Sequence, residues 1–243
     1  MNSLFRFRLL PRLLAVGLLL MGTAALASGP DLPAFDSLYV IKGFGFKIGE
    51  FSSALSMDAE NSYSYSTRTQ TTGFIARLHK DVITERSQWL WHNAAIRPMS
   101  YTYQRSGGSK QKQARLAFDW QKLIVENSIN GESWRMPIKE GVLDRLVVQL
   151  SMMLDLKKGK RDMTYTFADG GKLKSYRFRI VGEERLVTPA GSYDTLKLER
   201  VMNNDKRSTM LWCAPKLNYL PVRIDQREDD DNYSMLLEMY TAH

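Results

Sequence analysis

The chain has 243 residues, of which 44% are hydrophobic, with a formal net charge of +8 and one cysteine. A lone cysteine excludes an intramolecular disulfide, and the scattered basic residues form no long tract of the kind that nucleic-acid-binding proteins carry. The length is sufficient for a sizeable hydrophobic core without covalent cross-links.

The N-terminal sequence has the pattern of a secretory signal peptide. Three arginines precede the apolar run Leu13–Met21, and the small-residue site Ala25-Leu26-Ala27 follows it. We therefore predict a signal peptide over residues 1–27 and a soluble periplasmic product, with a retained N-terminal anchor as the alternative. Its removal takes the formal charge from +8 to +5, since those three arginines leave with no acidic residue. No later stretch approaches the ~20 apolar residues of a membrane span, so the mature chain should contain no transmembrane segment.

The next residues, 28–35, are rich in proline and glycine and predict an extended or poorly ordered leader. From residue 36 onward, short strand-like segments alternate with turns, and we expect about thirteen or fourteen strands. Asn130-Gly131 is the strongest two-residue hairpin signal. Without a repeat or a linker to divide it, the region 36–243 is predicted to be a single β-rich domain.

Only one long segment of the mature chain predicts a helix, over residues 144–157. Helical spacing aligns one apolar stripe, and a second apolar group lies on the opposite side, so we expect apolar neighbours on two sides. Asp144 suits the start of the helix and Gly159 can supply a left-handed cap after its end. The stripe comprises Leu143, Leu146, Val147, Leu150, Met153 and Leu154, and the opposite group comprises Val148, Met152 and Leu156.

Strands that follow each other through short turns pair in antiparallel fashion, and a large sheet must curl or close to protect its edges. The predicted fold class is therefore mainly β: a large curved antiparallel sheet or barrel-like meander, with one central amphipathic helix as a plug or lid.

Several segments together resemble an exported bacterial family, domain of unknown function 3108. The resemblance extends over roughly Asp36–Tyr240 and implies an exported, predominantly β protein, and it brings no activity, catalytic residue or cofactor with it. The segments that carry it are Tyr39–Gly43, Ile48–Glu50, Leu143-Asp144, Thr188–Lys197, Leu211–Pro215 and Tyr219–Ile224.

Catalytic and metal-binding patterns are absent from the sequence. Three histidines and one cysteine give neither a nucleophile motif nor zinc-ligand spacing, so we predict no catalytic residues, no metal site and no cofactor. Paired carboxylates that act as acid and base remain an alternative if the fold brings them together. The candidates for such a pair are Glu85, Asp119, Glu132, Asp144, Glu183 and Glu184.

The leading hypothesis is a non-enzymatic periplasmic protein that binds an apolar or amphiphilic, lipid-like component of the cell envelope in a cavity between sheet and helix. The first alternative is an envelope scaffold with a filled core that recruits another envelope protein, and the second is a carboxylate-dependent hydrolase. We expect no nucleic-acid partner. The predicted ligand contacts are Val148, Met152, Met153 and Leu156 on the helix, with Trp89, Trp91 and Trp120 across the cavity.

Overall fold

The fold is described from a computed structural model, which places residues 29–78, 80–107, 111–202, 207–229 and 231–243. The predicted signal peptide lies outside the described residues. Residues 29–34 form no regular element, but Leu32 is buried in the core, and Phe35, the last residue of the predicted leader, already belongs to the first strand.

Strands dominate the described residues, with two α-helices and one 3₁₀ turn between them. In chain order the elements are β1 (Phe35–Gly43), β2 (Phe46–Ala59), β3 (Ser62–Thr71), α1 (Gly73–Leu78), β4 (Val82–His92), β5 (Ala95–Ser106), β6 (Lys112–Asp119), β7 (Ile124–Ile129), β8 (Glu132–Pro137), β9 (Leu143–Asp144), α2 (Val148–Lys157), β10 (Asp162–Asp169), β11 (Lys172–Thr188), β12 (Gly191–Val201), β13 (Arg207–Ala214), the 3₁₀ turn Pro215–Leu217, β14 (Leu220–Glu228) and β15 (Asp231–Ala242).

All fifteen strands belong to one sheet, whose order is β8-β7-β6-β5-β4-β3-β2-β1-β15-β14-β13-β12-β11-β10-β9. The first and last strands pair at its centre, and the sheet extends from them as two arms. Neighbours are antiparallel except for the short parallel pair of β9 with β10. The predicted β-rich, barrel-like meander around a central helix is therefore confirmed.

Local turn chemistry explains many of the strand ends. Asn130 and Gly131 both have positive φ, as a two-residue hairpin turn requires, and join β7 to β8. The long strand β11 contains a register shift between Ile180 and Gly182. The described residues form fifteen strands, so the predicted thirteen or fourteen is too low.

The helix α2 begins at Val148, four residues later than predicted. Asp144 ends the short strand β9, and its side chain accepts hydrogen bonds from the backbone N–H groups of Leu146 and Val147. This side chain favours a turn before the helix, because a local carboxylate competes with the helical hydrogen-bonding pattern. The predicted end is confirmed, since Gly159 has a φ of +81° just beyond Lys158.

The central helix has apolar neighbours on two sides, as predicted. The predicted stripe is buried except for Leu146, which is partly buried, and the group opposite it is buried as well. An enclosed helix of this kind is the core of the molecule instead of a cover over it. Its buried residues are Val148, Leu150, Met152, Met153, Leu154 and Leu156.

The two arms of the sheet approach each other at a seam. Side chains pack there, but β8 and β9, the strands at the two ends of the sheet, are not hydrogen-bonded to each other. At this seam the indole of Trp134, on β8, lies against Gly171 in the turn between β10 and β11. A Cβ atom at Gly171 would lie 2.5 Å from the indole, whereas one at Gly170 would meet nothing within 4 Å. Only a glycine at the second turn position therefore permits the arms to pack this closely.

We predict that Gly171→Ala destabilises the protein by at least about 1 kcal/mol more than Gly170→Ala. Both glycines have positive φ, so both variants carry the similar cost of a Cβ in the left-handed region. Only the first also displaces Trp134. Urea unfolding followed by tryptophan fluorescence measures the difference, and equal losses in the two variants would contradict the proposed packing at the seam.

Candidate functional site

A polar group of side chains lies inside the sheet, close to the seam. Alternation along the strands places Glu85 and Ser87 of β4 on the inner face, where Glu85 pairs with Tyr103 and Ser87 with Tyr101. The short strand β9 lies next to β5 as well as β10. The residues immediately before α2 therefore face this polar part of β4 and β5.

Asp144 fastens the segment before the helix to β4. One carboxylate oxygen, Oδ1, accepts the N–H groups of Leu146 at 2.8 Å and Val147 at 3.2 Å, and the other, Oδ2, accepts the hydroxyl of Ser87 at 2.6 Å. The side chain is 0% exposed. Burial raises the pKa of Asp144 to about 6, and these three hydrogen bonds oppose the rise because they stabilise the charged form.

Glu85 is held by two neighbours. The hydroxyl of Tyr101 donates to Oε1 at 2.5 Å, and the guanidinium of Arg145 contacts both oxygens through Nε at 3.0 Å and Nη2 at 3.3 Å. Burial, together with the charge of Glu85, raises the pKa of the Tyr101 hydroxyl well above its ordinary value. Tyr101 is therefore a fixed hydrogen-bond donor, and Arg145 is held in place by a paired carboxylate.

A cleft of about 230 Å³ opens beside this pair. One wall is the inner face of β3 to β7, and the other is formed by Arg145 and the start of the β10–β11 turn. Its floor mixes polar and apolar groups, so it suits a small polar group with some apolar surface. The lining includes Ile83, Glu85, Tyr103, Lys112, Ala114, Asn127, Ile129 and Arg145.

Asn127 is the lining residue whose hydrogen bonding is incomplete. It is 1% exposed. Its Nδ2 donates weakly to the carbonyl of Val125 at 3.4 Å, while Oδ1 is buried with no partner. Exchanging the amide oxygen and nitrogen would put the oxygen against the Val125 carbonyl and leave both atoms without a partner. An unpaired buried polar atom costs about 1–3 kcal/mol, and its position in a cleft points to a ligand that completes the bonding.

Two cations lie close to Tyr103 in the same cleft. The ammonium of Lys112 and the guanidinium carbon of Arg145 are each 5.8 Å from the centre of the Tyr103 ring, within the range of a cation–π contact. Arg145 is paired with Glu85, whereas within the described part of the chain no carboxylate lies within 4 Å of Lys112.

The seven predicted ligand contacts lie elsewhere in the fold. Val148, Met152, Met153 and Leu156 are packed in the main core. Trp89 is buried and stacks on Tyr63 with ring centres 4.4 Å apart.

Of the other two tryptophans, Trp91 is partly buried against the same core. Trp120 belongs to a second cluster, where it stacks on Phe118 and donates to the carbonyl of Pro98. The structure thus brings Trp89 and Trp91 together with the helix and leaves Trp120 apart. None of the seven lines the cleft, and their role as ligand contacts stays a prediction.

Of the six carboxylates proposed as acid and base, Glu85 and Asp144 are both buried and close enough that the charge of Glu85 contributes to the raised pKa of Asp144. Asp119 pairs with Lys122 in a turn, and Glu184 accepts the indole N–H of Trp212 on the exposed face. Glu132 and Glu183 are exposed. Among the described residues no group of three potential metal ligands comes together.

The cleft residues Tyr103, Lys112, Asn127 and Arg145 were not predicted from the sequence. A signal existed in part, because Glu85 with Ser87 and Tyr101 with Tyr103 repeat at the two-residue period of one strand face. Polar residues at the inner positions of neighbouring strands indicate a polar interior. The pairing of β4 with β5, of β5 with β6 and of β6 with β7, which places these residues together, is not visible in the sequence.

A larger depression of about 890 Å³ extends across β1 to β7. Most of its lining residues have the alternation opposite to Glu85, which places them on the outer face. Hydroxyl groups and arginines predominate there, such as Ser52, Thr84 and Arg68. None of the unpaired buried polar atoms of the described residues lies in it, so we regard the inner cleft as the better candidate for a specific site.

One curled sheet around an enclosed helix, with a polar cleft at its seam, defines a β-barrel-like protein. The chain belongs to the family described as "Protein of unknown function (DUF3108)", whose profile matches residues 37–238. The predicted family is therefore confirmed. No curated protein matches this chain in sequence.

Among solved structures, a β-barrel-like protein of domain of unknown function DUF1849 from Brucella abortus is similar, with a TM-score of 0.58 and 7% identity over 87% of this chain and 98% of that one. At such low identity this likeness shows the fold alone. A provisional lipoprotein from Parabacteroides distasonis has a TM-score of 0.34 and 9% identity over 87% of this chain and 97% of that one. A provisional exported protein with a YmcC-like fold from Bacteroides fragilis has a TM-score of 0.32 and 11% identity over the same shares, 87% and 97%. These two superpose too loosely to carry an argument.

Neither helix of the described residues has the length and apolar character that crossing a membrane would require.

We predict that the stability of the protein falls as the pH rises through the window from 3.8, the ordinary pKa of an aspartate, to about 6, the raised pKa of Asp144. In this window the folded state holds a proton that the unfolded state has lost, so the contribution is present at low pH and disappears above it, with a total of up to about 3 kcal/mol. Asp144→Asn keeps an acceptor for the backbone N–H groups and should flatten this part of the profile.

The measurement is urea unfolding from about pH 4 to about pH 8. Asp162→Asn is the matched control, because the hydrogen bond from Arg177 lowers the pKa of Asp162 below its ordinary 3.8, so its contribution changes only below the measured range and the slope should stay as in the unmodified protein. An unchanged slope in Asp144→Asn would show that the buried carboxylate does not titrate in this window.

Proposed function

We propose that this protein is an exported, non-enzymatic binding protein of the cell envelope, which holds an amphiphilic component by placing its polar group in the inner cleft. The observation that carries the proposal is the open cleft beside Glu85 and Arg145, in a molecule whose main core is filled by α2. The family, whose profile covers residues 37–238, supplies no activity that competes with this reading.

The cleft is suited to an amphiphile because its polar side chains adjoin apolar ones. Ile83, Ala114 and Ile129 line the same space as Arg145 and Lys112. Apolar surface next to a polar group contributes about 25 cal/mol for each Å² removed from water. At about 230 Å³ the cleft is smaller than a typical site for a drug-sized ligand, so it would hold the polar end and leave the rest of a lipid-like molecule outside.

Placing the ligand in this cleft changes the predicted position beneath the helix. Met152 and Met153 are each 1% exposed, and a ligand between them and the sheet would have to displace α2 from a closely packed core. The cleft needs no such displacement. We therefore assign the polar end of the ligand to the cleft. The four helix residues stay predicted contacts for a state in which α2 has moved away from the sheet.

An envelope protein-interaction module is the second candidate, and one observation favours it. Phe44 and Phe46 are 69% and 74% exposed at the turn between β1 and β2, and Phe44 also has a positive φ of 53°. Exposed aromatic rings in a strained turn gain little for folding and are suited to contact with a partner.

A carboxylate-dependent hydrolase is less well supported. Both oxygens of Asp144 are engaged by hydrogen bonds, and Asp144 does not line the cleft. Glu85 does line it but is paired with Arg145 and Tyr101. Neither carboxylate is therefore placed to act on a substrate while these contacts persist.

We predict that the protein isolated gently from its own host carries a stoichiometric small-molecule adduct, and that Ala114→Trp removes it. Ala114 lines the cleft, and an indole at this position would occupy the space of the ligand. Native mass spectrometry detects the adduct, and organic extraction then identifies it.

Ala117→Trp is the matched control, because Ala117 lies on the same strand with the opposite alternation and should leave the adduct in place. Ala114→Leu serves as a milder variant if the indole impairs folding, which circular dichroism would reveal. A bare protein mass under conditions that preserve weak lipid complexes would contradict the proposal and favour the protein-interaction module. An adduct that survives Ala114→Trp would place the ligand elsewhere, including beneath α2.

A further inference from the structure

The charges around the cleft leave one cation in excess. Glu85 is paired with Arg145, and Asp169, at the far wall, is paired with Lys174 at 2.6 Å. Two further cationic residues line the cleft, Arg115 and Lys112. Arg115 has the opposite alternation to Ala114, which places its side chain on the outer face, whereas Lys112 shares the alternation of Ala114, and no described carboxylate lies within 4 Å of its ammonium. A cleft with one surplus positive charge attracts an anion.

Two polar groups of the cleft, one on Arg145 and one on Asn127, have no hydrogen-bond partner among the described residues. Arg145 uses Nε and Nη2 on Glu85, and no described residue accepts a hydrogen bond from Nη1. Asn127 offers a buried Oδ1 that has no donor. The cleft thus presents two cationic donors and one neutral amide that needs a partner.

We infer that the cleft recognises an anionic group, a carboxylate or a phosphate, on a molecule that also presents a hydroxyl or amide hydrogen to Asn127. The inference rests on the proposed function and names the chemistry of its ligand. The anion interacts with Lys112 and with the outer N–H groups of Arg145, near the ring of Tyr103. The neighbouring hydroxyl or amide completes the hydrogen bonding of Asn127.

The presence of a neutral amide at position 127 can be explained by comparing it with a carboxylate and with an apolar residue at the same place. A carboxylate could not replace Asn127 without repelling the anion, and an apolar residue could not select for the hydroxyl. A neutral amide in a buried position adds specificity at the cost of an unsatisfied group in the free protein, because a site that hydrogen-bonds a ligand hydroxyl discriminates strongly against an analogue without it.

The test is isothermal titration calorimetry with matched probes below their critical micelle concentrations. Octyl phosphate and octanoate carry the anion, β-hydroxyoctanoate carries both the anion and a hydroxyl, and octyl glucoside is neutral. Inorganic phosphate and acetate distinguish a free anion from the head of an amphiphile. We expect the anionic octyl probes to bind more tightly than octyl glucoside, and β-hydroxyoctanoate to bind more tightly than octanoate.

Two variants separate the two parts of the inference. Lys112→Gln should weaken the anionic probes by about tenfold or more and leave octyl glucoside unchanged, whereas Lys122→Gln removes an equal charge from a distant turn and should change nothing. Asn127→Leu should abolish the preference for β-hydroxyoctanoate over octanoate while the midpoint of urea unfolding stays the same or rises, because the variant removes an unsatisfied buried group.

Anionic probes that bind no better than octyl glucoside would overturn the inference. If the host-derived adduct is then still lost in Ala114→Trp, the proposed binding function stands and its ligand is neutral. If that adduct is also missing from the unmodified protein, both proposals fail together. Tight binding of inorganic phosphate or acetate, with no gain from the octyl chain, would retain the anion site and assign it to a free anion.

Discussion

The buried carboxylate of Asp144 is the interaction on which the architecture depends. It joins three parts of the chain, since it ends β9, caps the turn before α2 and accepts the hydroxyl of Ser87 on β4. Removing an ionisable group from water is costly unless hydrogen bonds compensate it, and here three do. The entry of the helix into the sheet is consequently fixed at one point, and the helix fills the interior from there.

The seam follows from this placement. A sheet of fifteen strands must protect its edges, and this one brings them together through side chains, with Trp134 against Gly171, instead of through a continuous ladder. The inner cleft lies close to this seam, since Gly170 of the β10–β11 turn lines it together with Arg145.

The cleft also illustrates how a stable interior can retain a site for a ligand. Glu85 and Tyr101 are satisfied by their neighbours and belong to the folded framework, while Asn127 and Lys112 are left incomplete. Whether a polar group has a hydrogen-bond partner separates framework residues from candidate ligand-binding residues better than burial does. Asn127 is as deeply buried as the core, yet its side-chain oxygen has no partner.

Sequence patterns predicted the elements whose cause is local. The hairpin at Asn130-Gly131 and the cap at Gly159 need positive φ, which glycine and asparagine adopt at low cost, and both are present. The start of α2 was placed too early, at residue 144, because apolar spacing continues through Leu146 and Val147 and gives no sign that a carboxylate will hold their N–H groups. The two apolar groups on the helix predicted apolar neighbours on two sides, and buried residues of α2 come from both groups.

The sequence by itself determined that the chain is mainly β, that its strands meander and that one helix lies among them, because alternation, turn residues and helical periodicity act over a few neighbouring positions. Only the tertiary structure decided that the sheet curls around the helix, that its arms meet at Trp134, and that Glu85, Asn127 and Arg145 share one cleft. These residues lie on β4, on β7 and before α2, and their proximity depends on the register of strands far apart in the chain, which no local pattern encodes.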